Sequence, residues 1–247
     1  MVRCVVVGCG GRMGRQVLAE TARRDTVCCV AGVDRRGADD LRGIPVFPAL
    51  EDYRRSGIEA DVLIDFSSPQ AAPEVCRFCE QTRMPCVICT TGHNAAQQEM
   101  IRRLSHKTAV FQSANLSLGI AVLARLARQA ATLLGPEFDV EIIEKHHRDK
   151  KDSPSGTALM LAKEVLPQDA AISGHTSGAS PAAPPIHSVR AGGIVGDHEI
   201  LFAGRQEVLT ISHHAQSRAL FAEGALAAAG FIVQKTAGMY QMKDLIS

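Results

Sequence analysis

The sequence predicts an α/β protein in which a Rossmann-like parallel-sheet domain is joined to an α+β domain with an open mixed sheet. Three observations lead there. Through about residue 115, short β-rich runs alternate with helical patterns, as in a parallel sheet covered by helices. A glycine-rich turn follows the first of these runs and opens a helix. From about Leu116 the pattern changes to a long amphipathic helix, a loop dense in charge, and strand candidates separated by turn signals, which suggests a mixed or antiparallel sheet.

Taken in order, Arg3–Val7 is the first strand, Arg12–Arg24 the first helix and Val27–Val33 the second strand. Val46-Phe47 and Val62–Ile64 are further short strands. A helix around Glu74–Thr82 precedes a strand at Cys86–Cys89, and a helix near Ala95–Leu104 precedes one at Ala109–Phe111. Leu116–Leu134 is the long amphipathic helix, Asp139–Glu144 a strand, and Ser155 opens another helix. Pro167–Pro185, rich in Gly, Ser, Ala and Pro, reads as a surface loop. Ile186–Arg190, Glu199–Phe202 and Val208–Ser212 are strands of the second sheet. The apolar, Ala-rich helix Ser217–Val233 packs back on the first domain. That domain is then residues 1–116 with 218–247, and residues 117–217 form the second domain.

A net charge of +1 offers no electrostatic footprint for duplex nucleic acid or an anionic membrane. With no Trp and only two Tyr there is little to stack single-stranded bases. A small molecule is the expected partner. Arg3 runs at once into Val5-Val6-Val7 and the glycine turn, unlike a secretory leader. The most apolar stretch, Leu116–Leu134, carries Arg125 and Arg128, so no membrane span is expected and the reading is cytoplasmic. All eight cysteines fall within the first 89 residues, and Cys76/Cys79 and Cys86/Cys89 form two C-x-x-C pairs. Residues three apart on a strand point to opposite faces, so Cys86 and Cys89 cannot share one ion. Buried free thiols are expected and no metal site.

Gly8-Cys9-Gly10-Gly11-Arg12-Met13-Gly14 carries the cofactor signal. Glycines here let the turn be tight, let backbone N–H groups approach a pyrophosphate, and let the helix pack close to its strand. The helix N-terminus adds a partial positive charge for the phosphates. Asp34 ends the second strand, twenty residues after Gly14, where a carboxylate accepts hydrogen bonds from an adenosine ribose. Arg12, Arg35 and Arg36 suit a 2′-phosphate instead, so NADH and NADPH both stay open. Asp65-Phe66-Ser67-Ser68-Pro69 and Thr90-Thr91-Gly92 follow later strands and are expected towards the nicotinamide, although each is also an ordinary strand-to-helix turn.

The most informative stretch is Glu144-Lys145-His146-His147-Arg148-Asp149-Lys150-Lys151-Asp152-Ser153-Pro154-Ser155-Gly156-Thr157. It assembles an acid that titrates near neutrality, cations, and a helix N-terminus that attracts anions. A substrate that carries carboxylates and needs a proton would suit it. The alternative is a solvated charged loop, against which Pro154-Ser155-Gly156-Thr157 argues, because Ser155 would cap a helix whose free N–H groups point back at the loop.

The pattern E-x-H-H-x-x-K-x-D-x-P-S-G-T-A resembles the signature of the 4-hydroxy-tetrahydrodipicolinate (formerly dihydrodipicolinate) reductases. V-x-G-x-G-G-R-M-G-R at the start, Asp65-Phe66-Ser67, Thr90-Thr91-Gly92, Ser113-Ala114-Asn115, Arg190–His198 and Gly238–Leu245 resemble the family's other blocks in order, so the similarity spans nearly the whole chain. The resemblance implies hydride delivery from NADH or NADPH to a cyclic imine dicarboxylate with loss of water, in the diaminopimelate branch of lysine biosynthesis. It implies His146 as proton donor and Lys150 as the second catalytic group, with His147, Thr91, Gly156 and Thr157 holding carboxylates. It implies Gly8, Gly11, Arg12, Met13, Gly14, Asp34, Arg35 and Arg218 at the cofactor, with Phe66, Thr90 and Asn115 nearer the nicotinamide. A homotetramer built through the open sheet is implied as well. Cys89 stands where the family usually has glycine and Leu116 where an aromatic is common; both bear on cofactor affinity more than on reaction class. His187, His198, His213 and His214 read as structural or surface groups. Another NAD(P)-dependent oxidoreductase, or a dinucleotide sensor, would share the glycine loop without the His146–Thr157 block.

Overall fold

The computed structural model describes residues 1–36, 41, 43–166 and 183–247. The chain divides into two compact units, Met1–Ser117 with Ala219–Ser247, and Leu118–Arg218. Most of the loop predicted over Pro167–Pro185 lies outside the described residues.

In the first unit, strands β1 (Val2–Val7), β2 (Val27–Val33), β3 (Val46–Phe47), β4 (Val62–Asp65), β5 (Cys86–Ile88) and β6 (Ala109–Gln112) alternate with helices α1 (Arg12–Thr21), α2 (Leu50–Arg55), α3 (Ala72–Thr82) and α4 (Ala95–Leu104). Long β-branched runs such as Val5-Val6-Val7 suit a sheet buried on both faces. One face carries Val5, Val7, Ala31, Val33, Leu63 and Val110 against Leu50, Tyr53, Val75, Phe78 and Ile101 of the helices. Helices α1 and α7 (Ala219–Ile232) pack together, and α7 also meets β1, β2, β4, β5 and β6. Helix α7 comes close because its residues are small. A Cβ on Gly224 would stand 1.7 Å from the Leu116 carbonyl oxygen.

Every pairing is parallel, and the order is β11-β6-β5-β4-β1-β2-β3, where β11 is Gly238–Tyr240. The order reverses between β1 and β4, which is where such sheets open a crevice beyond their carboxyl ends. Register keeps those ends level: Val7 pairs with Val33 and Asp65, Asp65 with Ile88, and Ile88 with Gln112. The loops after five strands therefore emerge along one edge.

In the second unit, helix α5 (Leu118–Leu134) leads to β7 (Asp139–His146), α6 (Gly156–Val165), β8 (Ile186–Arg190), β9 (Asp197–Ala203) and β10 (Val208–His214). The sheet order is β10-β9-β7-β8, antiparallel except for the β7–β8 pair. One face buries Ile142, Ile200 and Phe202 under Leu123 and Ala127 of α5 and Ala158, Leu161, Ala162 and Val165 of α6. By length and composition alone, Leu118–Glu137 is long and apolar enough to cross a membrane, its two arginines notwithstanding. The sequence had suggested no such run. Its Ile120, Leu123 and Ala127 are buried, the stripe expected of an amphipathic helix on a sheet.

Several predicted boundaries move for local reasons. Helix α1 stops at Thr21, where Arg23 and Arg24 donate to carbonyls three residues back and tighten the last turn. Helix α5 starts at Leu118 because the Asn115 side chain accepts from Ser117 N–H and holds the preceding residues in a turn. Strand β7 runs two residues beyond Glu144 because Lys145 and His146 pair with Val189 and Arg190. The sequence did not suggest α2, β11 or the short helix α8 (Met242–Leu245).

Candidate active site

On the first unit the glycine loop closes over its own backbone. Gly8 lies at φ +77°, where an L side chain is strained, and its missing Cβ would stand 2.5 Å from the Phe66 carbonyl oxygen. A Cβ on Gly14 would meet the Gly8 carbonyl oxygen at 2.2 Å. Gly11 occupies the N-cap of α1 and supplies no side chain there, so N–H groups of the first turn are left for an anion. Asp34 reaches back to the loop: Gly10 N–H donates to its Oδ2 at 2.9 Å and Arg36 N–H to its Oδ1 at 3.1 Å.

These residues open onto a cavity of about 690 Å³. Its walls include Gly8, Gly10, Gly11, Asp34, Arg35 and Phe66. They also include Arg15, which the sequence did not single out and which donates to the Gly10 carbonyl at 3.0 Å. Arg12 is exposed and Met13 half-buried on the first turn of α1. The cradle that a Cβ would fill, the uncapped helix and the cations fit a dinucleotide.

The other predicted loops of this unit leave the same sheet edge. Asp65 is buried, and its Oδ1 accepts from both the N–H and the hydroxyl of Ser67. Burial pushes its pKa up, against the hydrogen bonds of Ser67 and Thr90 and the nearby His93. Thr90 is buried behind Asp65, with its hydroxyl 3.5 Å from the Asp65 carbonyl, and Thr91 is exposed. Asn115 is fixed by its bond to Ser117 N–H and by Ser113, whose hydroxyl donates to the Asn115 carbonyl at 3.0 Å. Cys89 lies just beyond β5, and its Sγ is 3.8 Å from the Val87 carbonyl oxygen. Among the described residues no group of three or more His, Cys, Asp or Glu could hold a metal ion.

On the second unit the buried face of the sheet turns from apolar to polar as it nears the end of β7. Alternation puts Ile142, Glu144 and His146 on one side of that strand, and register sets Glu144 beside His198 of β9. His146 Nδ1 lies 2.5 Å from Glu144 Oε2. Arg190 grips Glu144 with two nitrogens, Nη2 to Oε1 at 2.6 Å and Nη1 to Oε2 at 2.9 Å. Ser155 N–H also donates to Oε1, at 3.3 Å. Burial works against the charge on Glu144, but Arg190, with Ser188 and His146, overcomes it and holds the pKa at about 2. Burial lowers the His146 pKa; Glu144 opposes that shift, and the charges of Lys150 and Arg190 reinforce it.

The helix that follows is tied to the same cluster. Ser155 is the N-cap of α6, as its sequence context predicts, and its hydroxyl accepts from Ala158 N–H at 3.1 Å. The same hydroxyl is 3.3 Å from His198 Nε2, and the His198 ring meets His146 edge-on with centroids 5.2 Å apart. Gly156 and Thr157 form the first turn of α6. Lys150 pairs with Asp152 at 2.9 Å, and its N–H donates to the His147 carbonyl. Arg218, expected at the cofactor, has Nη2 3.4 Å from His147 Nε2. The structure thus adds Glu144, Arg190 and His198 to the predicted group. An alternating E-x-H on a strand was the available signal for Glu144. Arg190 and His198 stood out only as the two ends of a segment resembling a family block, with nothing local to tie them to the groups they touch, 46 and 43 residues away.

Comparison with known proteins agrees along the whole length. The family description Dihydrodipicolinate reductase, N-terminus, fits residues 2–116, and Dihydrodipicolinate reductase, C-terminus, fits residues 119–246. The chain is 42% identical to a 4-hydroxy-tetrahydrodipicolinate reductase of Caldanaerobacter subterraneus and 40% identical to one of Clostridium tetani, each alignment covering 100% of this chain and 98% of the relative. A dipicolinate-bound dihydrodipicolinate reductase from Paenisporosarcina superposes with a TM-score of 0.79 at 28% identity, covering 98% of this chain and 97% of that one. The chain belongs to the dihydrodipicolinate reductase family and is an oxidoreductase.

Proposed function

We propose that the protein reduces 4-hydroxy-tetrahydrodipicolinate to tetrahydrodipicolinate with NADH or NADPH, in the diaminopimelate branch of lysine biosynthesis. One hydride and one proton enter and one water leaves. The observation that carries this reading is the buried His146, anchored through Nδ1 beside the Ser155-capped start of α6. An acid next to an anion-attracting helix end suits a dicarboxylate that must be protonated. Full-length identity to reductases of this name supports it.

The reduced nicotinamide supplies the hydride. Gly8, Gly11, Arg12, Met13 and Gly14 hold the pyrophosphate side, and Asp34 and Arg35 the adenosine ribose. Phe66, Thr90 and Asn115 face the nicotinamide portion, and Arg218 completes the cofactor set. Asp34 favours the plain ribose, while Arg15, Arg35 and Arg36 on the same cavity favour a 2′-phosphate, so both cofactors are accepted. His146 donates the proton and Lys150 polarises the substrate nitrogen. His147, Thr91 and the backbone of Gly156 and Thr157 take the carboxylates. Residues 1–116 with 218–247 act as the cofactor domain and 117–217 as the substrate domain of a cytoplasmic enzyme. Four copies assemble through the open face of the four-stranded sheet.

The test is oxidation of NADH and of NADPH, followed by absorbance, with imine generated in situ from pyruvate and aspartate semialdehyde by the preceding synthase. Imine-dependent oxidation that collapses in His146→Ala and Lys150→Ala is the expected result. Binding of NAD(P)H by folded protein with no imine-dependent oxidation would overturn the assignment.

A further inference from the structure

Each contact around His146 has a chemical direction. Glu144 is fully buried and doubly bonded to the Arg190 guanidinium, so it stays ionised and has only lone pairs to offer. The nitrogen facing it, Nδ1, must therefore carry the hydrogen, and Nε2 is left as the nitrogen that can gain and lose a proton. A Cβ on Gly196 would stand 3.1 Å from that Nε2 and 3.3 Å from Cδ2. Gly196 is not among the positive-φ residues, so what glycine provides here is space and not backbone freedom. His198, edge-on to the ring and bonded to Ser155, resists rotation of the imidazole out of this plane.

We propose that Glu144, held by Arg190, is the positioning residue for His146: it keeps the hydrogen on Nδ1, makes Nε2 the nitrogen that delivers the reaction proton, and Gly196 keeps the approach to Nε2 clear. The inference rests on the reduction proposed above. In the proton step the Nε2–H bond breaks as the substrate's new bond to hydrogen forms. The electron pair stays on Nε2, which is reprotonated from water. The Nδ1–H bond to Glu144 persists throughout, and Glu144 never takes the proton.

The charged and titratable groups facing His146 are Glu144 on β7, Arg190 on β8, His198 on β9 and Lys150 in the loop that follows β7. Of these, Glu144 favours the imidazolium while Arg190 and Lys150 oppose it. Activity that needs the imidazolium is lost as pH rises through the His146 pKa. Removing the Glu144 charge moves that loss to lower pH.

The experiment measures pH profiles of kcat and KM for wild type, Glu144→Gln and Gly196→Ala, alongside nitrogen-15 NMR of the imidazoles in the wild-type protein. Glu144→Gln is expected to lower kcat by about 10- to 100-fold with KM within about threefold, and to shift the alkaline loss of activity downward. Gly196→Ala lowers kcat without that shift. The NMR needs no variant and no substrate, and is expected to show neutral His146 protonated on Nδ1. Protonation on Nε2 overturns the proposal even if Glu144→Gln fails to fold, and so does a folded Glu144→Gln enzyme with wild-type kcat and pH profile. An inactive wild-type enzyme would instead defeat the reaction assignment.

Discussion

The glycine cradle proposed for the cofactor and the His146 cluster proposed as proton donor are built from opposite materials. Around Gly8 and Gly14 the protein presents backbone, and the residues matter for atoms they lack: a single methyl would drive into a carbonyl oxygen at 2.5 or 2.2 Å. Around His146 it presents side chains that hold one another, from Arg190 to Glu144 to His146, with His198 and Ser155 at the flank. The first is suited to a polyanion that needs many N–H donors at short range. The second sets a charge state, with Arg190 holding Glu144 ionised beside His146. It follows that the cradle is broken by adding atoms and the Arg190–Glu144–His146 chain by removing them.

The largest expected effect is removal of the donor. His146→Ala should cut kcat/KM by about 10²–10⁴-fold, the usual share of a general acid, while NAD(P)H affinity stays within about threefold. Steady-state kinetics and fluorescence titration with NADH measure the two quantities separately. A matching loss of cofactor affinity would erase the division drawn here. Next comes Gly14→Ala, which should weaken NAD(P)H binding by about 100-fold, or about 2.7 kcal/mol, because the loop must rebuild around the Gly8 carbonyl. The His146 imidazole signals should be unmoved in that variant. An unchanged Kd would show that the loop yields more easily than its geometry implies.

That contrast also governed what could be read in advance. Gly8, Gly11 and Gly14 were legible because backbone sites leave a local spacing in the chain, and the β1–α1 turn contains all of them. Strands β2 and β8 and helix α4 have their predicted bounds because turn signals flank strong patterns. Glu144 was half legible: it sat inside the quoted motif, but its bond to His146 follows only once the segment is known to be a strand to its end. Arg190 reaches the site through the parallel pairing of β7 with β8, and His198 through the antiparallel pairing with β9, and neither pairing leaves a mark in local sequence. The three-residue β11 exists because Gly238 to Tyr240 align with Ala109 to Phe111; on its own it is too short to carry a period.

The cluster should also show itself in stability against pH. His198 is 4% exposed, and burial, helped by the nearby His146, lowers its pKa to about 4. In the unfolded chain it titrates near 6.5, so between about 6.5 and 4 the unfolded state binds a proton that the folded state refuses. Stability is therefore full above that window and falls by about 3 kcal/mol as pH drops through it. Glu144, whose pKa is about 2 in the fold, continues the fall below about 4.5. Urea denaturation at several pH values tests this. His198→Asn should flatten the upper part of the curve; an equally steep fall in that variant would remove His198 from the account.

The smallest effect sharpens the comparison most, because Ser155 is where helix and cluster meet. Its hydroxyl accepts from Ala158 N–H and also lies 3.3 Å from His198 Nε2. Loss of an N-cap costs about 1 kcal/mol, and leaving a buried ring nitrogen unpaired adds to that, so Ser155→Ala should cost about 1–2 kcal/mol. Ser155→Asp restores the cap but sets a carboxylate near Glu144. It should recover the helix and still lower kcat, since its charge competes for Arg190 and disturbs the bond that orients His146. If both variants lost stability and activity in step, Ser155 would be a helix cap and nothing more. If Ser155→Asp separated them, the cap and the proton site would be distinct demands on one residue.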